Sequence, residues 1–123
     1  GMARLKVPML LMAGSADHIS GYENGMRRIF TEATGTTRHL LTFEGAGHNA
    51  AAPYPAPAEA FQPSDHLDFL PAEHYADPVW DTLLMNGIAQ HFATAFLDLH
   101  LKGLPHETAP GLHRGLLLKS LNP

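Results

Sequence analysis

The apolar positions along the chain fall into four stretches with different rhythms. Val7–Ala13 (Val-Pro-Met-Leu-Leu-Met-Ala) is a continuous apolar run between Lys6 and Gly14-Ser15. Continuous hydrophobicity predicts a strand buried on both faces, as in a parallel sheet. Pro8 fits only near its start, because proline cannot donate to the ladder. From Gly21 to Ala33 the rhythm changes: Tyr22, Met26, Ile29, Phe30 and Ala33 recur at helical spacing, and Gly35 follows as a stop. Arg38–Phe43 (Arg-His-Leu-Leu-Thr-Phe) predicts a second strand. Strand, helix and strand joined by short links make a parallel crossover. The fourth stretch predicts a long helix from Pro78 to about Leu101. Asp77 would be its N-cap, Trp80, Leu84, Ile88, Phe92, Phe96 and Leu99 its apolar stripe, and Gly103 its end.

Between these stretches the pattern breaks down. Residues 50–78 hold Pro53, Pro55, Pro57, Pro63, Pro71 and Pro78, which exclude a long regular element and leave room for short turns near Glu59 and His66. A connection this long in a compact domain points to a cap or a binding loop. Residues 104–123 are broken by Pro105, Pro110 and Gly111 and predict loop with at most one short element. The expected fold is α/β, with two parallel strands, a crossover helix and a long C-terminal helix. Two strands cannot cover a helix of about twenty residues and bury their own faces as well. The sheet is therefore expected to be completed by self-association or by a missing N-terminal part.

Two residues at strand ends carry candidate chemistry. Asp17 closes Met12-Ala13-Gly14-Ser15-Ala16-Asp17, and His48 sits in Glu44-Gly45-Ala46-Gly47-His48-Asn49. In an open α/β sheet, functional groups collect at the carboxyl ends of the strands, and neighbouring strands run about 4.8 Å apart. The loops leaving the two strands can then bring a carboxylate to an imidazole, which are the acid and base of a serine-hydrolase triad. The plainer alternative makes Asp17 an Asx-turn residue and His48 a loop histidine. No G-x-S-x-G elbow occurs, and Ser15, Ser20 and Ser64 lack the flanking glycines of one.

The order Pro8-Met-Leu-Leu-Met-Ala-Gly-Ser-Ala-Asp17, helix, Leu-Leu-Thr-Phe-Glu-Gly-Ala-Gly-His48 resembles the last two core strands of an α/β hydrolase. The similarity is greatest to the dienelactone-hydrolase-like and platelet-activating-factor-acetylhydrolase-like branch. Asn86–Gly103 is similar to that branch's C-terminal helix. The resemblance spans residues 4–103, with 104–123 as a tail. It implies a carboxylic-ester-type serine hydrolase acting on a small-molecule ester, with Asp17 as triad acid and His48 as general base. In that family the nucleophile and oxyanion-hole amides come from earlier strands, so this chain is expected to be a C-terminal fragment, inactive alone. The alternative is a non-catalytic hydrolase remnant acting in self-association or partner binding. An exposed sheet edge or the long helix would make it a homo-oligomer.

Composition narrows the remaining classes. With 123 residues, a net charge of −4 and scattered basic residues, the chain fits one domain and shows no nucleic-acid footprint. The absence of cysteine removes disulfides, thiolate metal sites and a thiol nucleophile. No apolar run approaches the ~18 residues of a membrane span. Cytoplasmic location is the default expectation, and secretion follows if a leader preceded this sequence. Glu44, His66 and His74 make no metal-ligand spacing, and His91 and His100, nine apart on a helix, point about 180° apart. No metal and no cofactor is expected, so a metal hydrolase is the least supported class. Tyr22, Tyr54, Phe61 and Tyr75 are candidates for an acyl or alcohol pocket, or for ordinary packing.

Overall fold

The computed structural model describes residues 1–52 and 55–103, together with the backbone of 116–118. Three strands form one parallel sheet in the order β1-β2-β3: β1 (Met9–Gly14), β2 (Arg38–Phe43) and β3 (Leu116–Leu118). β1 and β2 pair along their whole length, from Met9 opposite Arg38 to Gly14 opposite Phe43. β3 pairs with the other edge of β2, from Leu41 opposite Leu116 to Phe43 opposite Leu118. The two expected strands are therefore joined by a third, from the segment read as tail. It gives β2 a neighbour on both sides.

Burial follows sheet position. In β2, every residue after Arg38 is buried, including His39 and Thr42. β1 lies at the edge, and its first four residues are only half-buried. It starts at Met9 and not Val7: Pro8 has no N–H for the ladder, and Val7 is exposed. The segment linking the strands, expected as one helix over Gly21–Ala33, is a π-helical turn (Tyr22–Arg27) that runs into a short helix, α1 (Arg28–Glu32).

The long helix, α2, runs over Thr82–Leu101. Its N-cap is Asp81, whose carboxylate accepts the Leu84 N–H at 2.7 Å. The expected start at Pro78 with Asp77 as cap is thus corrected by one turn: Asp77 Oδ1 accepts the Val79 and Trp80 N–H groups, but residues 78–80 form a separate bend ahead of the helix. The packed face is also rotated from the expected one. It runs through Met85, Ala89, Phe92 and Ala95, flanked by the half-buried Ile88, Phe96 and Leu99, while Leu84 is turned outward. This face joins Leu41, Phe43, Ala46 and Trp80 in the core. The Phe43 and Trp80 rings meet edge to face at 5.4 Å, the preferred aromatic geometry. Short 3₁₀ turns at Ala58–Phe61 and Pro71–Tyr75 break up the proline-rich connection. None of the described helices is long and apolar enough to cross a membrane.

Candidate functional site

The carboxyl ends of β1 and β2 are bonded to each other through their loops. The Phe43 carbonyl, at the last position of β2, accepts both the Ser15 N–H (3.0 Å) and the Ala46 N–H (3.2 Å). The Ala16 N–H donates to the Ala46 carbonyl at 2.9 Å, and the Gly45 N–H to Ser15 Oγ at 2.8 Å. Gly14 permits this approach, since a Cβ there would overlap the carbonyls of Ala46 and Gly47. Gly45 has φ +74°, a conformation open to glycine at no steric cost.

On this rim Asp17 and His48 meet. Asp17 Oδ2 lies 3.1 Å from His48 Nδ1. Asp17 Oδ1 accepts the backbone N–H groups of Ile19 (2.8 Å) and Ser20 (3.1 Å). One carboxylate oxygen thus makes the Asx turn of the plain alternative, and the other faces the histidine. The Asp17 side chain is only 8% exposed. Burial alone would raise its pKa. The hydrogen bonds from His48, Ser20 and Ile19 and the charge of His48 outweigh that, and hold the carboxyl below its ordinary 3.8.

An ionised carboxylate only accepts, so the neutral His48 ring places its proton on Nδ1. Nε2 is then the basic nitrogen. It takes no hydrogen bond among the described residues, and 48% of the side chain is exposed. Ser20 Oγ lies 3.4 Å from His48 Nδ1. It stands on the acid's side of the ring, at the nitrogen that cannot take a nucleophile's proton. Ser15 Oγ is occupied by Gly45, and Ser64 Oγ accepts the His66 N–H at 3.2 Å. None of these hydroxyls faces Nε2. The pair can move a proton at Nε2 and stabilise the imidazolium, but these serines supply no nucleophile for it.

The sequence reading missed the residues that hold the His48 loop. The Gly47 N–H donates to Asp77 Oδ2 at 2.7 Å. Trp80 Nε1 donates to the Glu44 carbonyl at 2.8 Å. Asn49 Nδ2 donates to the carbonyls of Ala76 (3.1 Å) and Glu73 (3.3 Å). Asp77 was read from the sequence as a helix cap, and its distant partner was not visible there.

The candidate pocket aromatics are dispersed in their contacts. Tyr22 OH bonds to Thr42 Oγ1 at 2.8 Å and is tied to β2. Phe61 is exposed and Tyr75 half-buried, and Tyr54 lies outside the described residues. His74 packs its ring on Phe69, His91 on Phe92 and His100 on Phe96. Among the described residues no group of three or more His, Asp or Glu side chains could hold a metal ion. Comparison of the chain with protein-family models, curated proteins and solved structures gives no match.

Proposed function

We propose that Asp17 and His48 are the acid and base of a serine-type ester hydrolase of α/β-hydrolase kind, whose nucleophile lies outside these 123 residues. The observation that carries this reading is the 3.1 Å contact between Asp17 Oδ2 and His48 Nδ1, on a side chain 48% exposed whose Nε2 bonds to none of the described residues. The position of both groups on one rim of parallel strands supports it. In the reaction, a serine hydroxyl gives its proton to His48 Nε2 as its oxygen attacks the ester carbonyl. Asp17 stabilises the resulting imidazolium. Nε2–H then protonates the departing alkoxide as the tetrahedral intermediate collapses to the acyl-enzyme. A water repeats the cycle: it gives its proton to Nε2, attacks the acyl carbonyl and releases the acid and the free serine.

The test is labelling by a fluorophosphonate. The chain alone is expected to take no label on serine. Expression of the whole reading frame around it is expected to yield an esterase labelled at a G-x-S-x-G serine. In that enzyme Asp17→Asn is expected to lower kcat on the order of 10⁴-fold. Stoichiometric labelling of Ser15, Ser20 or Ser64 overturns the assignment.

A second reading, a non-catalytic self-associating module, is favoured by the outer side of α2. There Leu83 is 65% exposed and Leu97 48%, and Leu83, Leu84, Gly87 and Ile88 line an open apolar recess of about 530 Å³. Apolar surface of this kind marks interaction sites. Sedimentation at micromolar concentration separates the two readings: a concentration-dependent dimer lost on Leu83→Glu supports association, and a monomer refutes it.

A further inference from the structure

We propose that Asp77 is a positioning residue for the acid–base pair: it tethers Gly47 to the entry of α2 and so fixes His48 against Asp17. This rests on the reading of Asp17 and His48 as acid and base. The need for a tether follows from what His48 lacks. Half of its side chain is in solvent, so burial does not fix the ring. Its backbone follows Gly45 and Gly47, the residues with the most conformational freedom to lose. A displacement of about 0.5 Å takes a 3.1 Å contact beyond useful hydrogen-bond range.

Asp77 has the geometry to prevent that displacement. Its Oδ1 accepts the N–H groups of Val79 (2.9 Å) and Trp80 (2.9 Å), which sets the carboxylate in its own turn. Its Oδ2 then accepts the Gly47 N–H at 2.7 Å, one residue before the histidine and thirty residues away in sequence. A charged acceptor makes this bond about twice as strong as a neutral one. The same segment holds the loop on both sides, through Trp80 to the Glu44 carbonyl and through the Ala76 carbonyl to Asn49. Asp77 touches neither ring nor acid, so its action on the pair is indirect.

The experiment is NMR on the chain itself, reading the Asp17 carboxyl by ¹³C titration and the His48 ring by ¹⁵N shifts. The variants are Asp77→Asn, Asp77→Ser and Asp81→Ala. Asparagine keeps an oxygen for Val79 and Trp80 but sets an N–H₂ against the Gly47 N–H, whereas serine keeps the turn and falls short of Gly47. In both, the Asp17 titration is expected to move upward and the His48 Nδ1–H resonance to broaden by exchange. Asp81→Ala weakens α2 at its cap without touching the loop, and both signals are expected to stay as in the unmodified chain. In the unmodified chain the Gly47 amide is also expected to exchange slowly with solvent, which holds the proposal to account even if neither Asp77 variant folds. Rapid Gly47 exchange, or a folded Asp77 variant with both signals unchanged, overturns the role of Asp77 alone. An unmodified chain in which Asp17 titrates at its ordinary value overturns the acid–base pairing and this role with it.

Discussion

Asp17 and His48, which meet at the rim, are anchored in different ways although their loops are bonded to each other. Asp17 is fixed by its immediate successors: its Oδ1 takes the N–H groups of Ile19 and Ser20, and its own N–H bonds back to the Gly14 carbonyl at 3.3 Å. His48 is fixed from a distance, through Asp77, Trp80 and the carbonyls that hold Asn49. The acid comes with its own support, and the base depends on the lead-in to α2. Local bonds form wherever the short segment adopts its turn. Long-range bonds require the sheet and helix to be packed already, so the base is ordered only in the folded protein.

Four perturbations break or sharpen this contrast. Phe43→Ala should have the largest effect, because the ring is fully buried against Trp80 at the point where both loops leave the sheet. A loss of about 3–5 kcal/mol is expected, measured by urea denaturation, and both loops should fail together. Gly14→Ala comes next. Its Cβ would drive the acid loop away from the carbonyls of Ala46 and Gly47, at a cost of about 1–3 kcal/mol. The Asp17–His48 contact should be lost even where the chain still folds, as read from the His48 ring shifts. Trp80→Phe keeps an aromatic ring against Phe43 and acts chiefly on the base side. It leaves the Glu44 carbonyl without its indole donor and should cost about 1–2 kcal/mol, with faster amide exchange in 44–49 and none in 15–20.

The smallest effect is that of pH, and it belongs to the acid side. The native Asp17 carboxyl lies below its ordinary 3.8, so the folded state binds this proton less readily than the unfolded chain. The resulting stabilisation is complete above the unfolded value and is lost as pH falls through the lower native one. The urea midpoint should therefore drop on acidification below about pH 4. His48→Ala should flatten that drop, because it removes the leading hydrogen bond that opposes burial.

The same contrast governs what could be read from the residues alone. β2 is legible to its bounds as Arg38–Phe43, because Leu40, Leu41 and Phe43 give it an apolar centre that neighbours on both edges bury. The helical rhythm after Gly21 shows winding but not hydrogen-bond spacing. The π turn at Tyr22–Arg27 was therefore invisible, although Gly25 fits so closely under the Ser20 carbonyl that a Cβ would come to 2.6 Å from its oxygen. The start of α2 was misplaced because Asp77 and Asp81, one turn apart, are equally good caps by local rules. Each carboxylate does accept the N–H three residues on, Asp77 from Trp80 and Asp81 from Leu84, but only the second turn continues as helix. β3 carries no alternation in three residues and is defined only by its pairing with β2. The meeting of Asp17 and His48 followed from strand-end placement, but the supports of His48 did not, since nothing in the sequence near them names their partner.

One peptide group sets how this rim can move. The Phe43 carbonyl receives a donor from each loop, so it acts as a common pivot, and a tilt of one loop carries the other with it. The two loops thus share one anchor point, and beyond it the half-exposed His48 ring keeps rotation about its own side-chain bonds, which the Asp17 contact opposes. For an exposed side chain such rotation takes picoseconds to nanoseconds, so the imidazole can leave and regain the carboxylate without any movement of the strands.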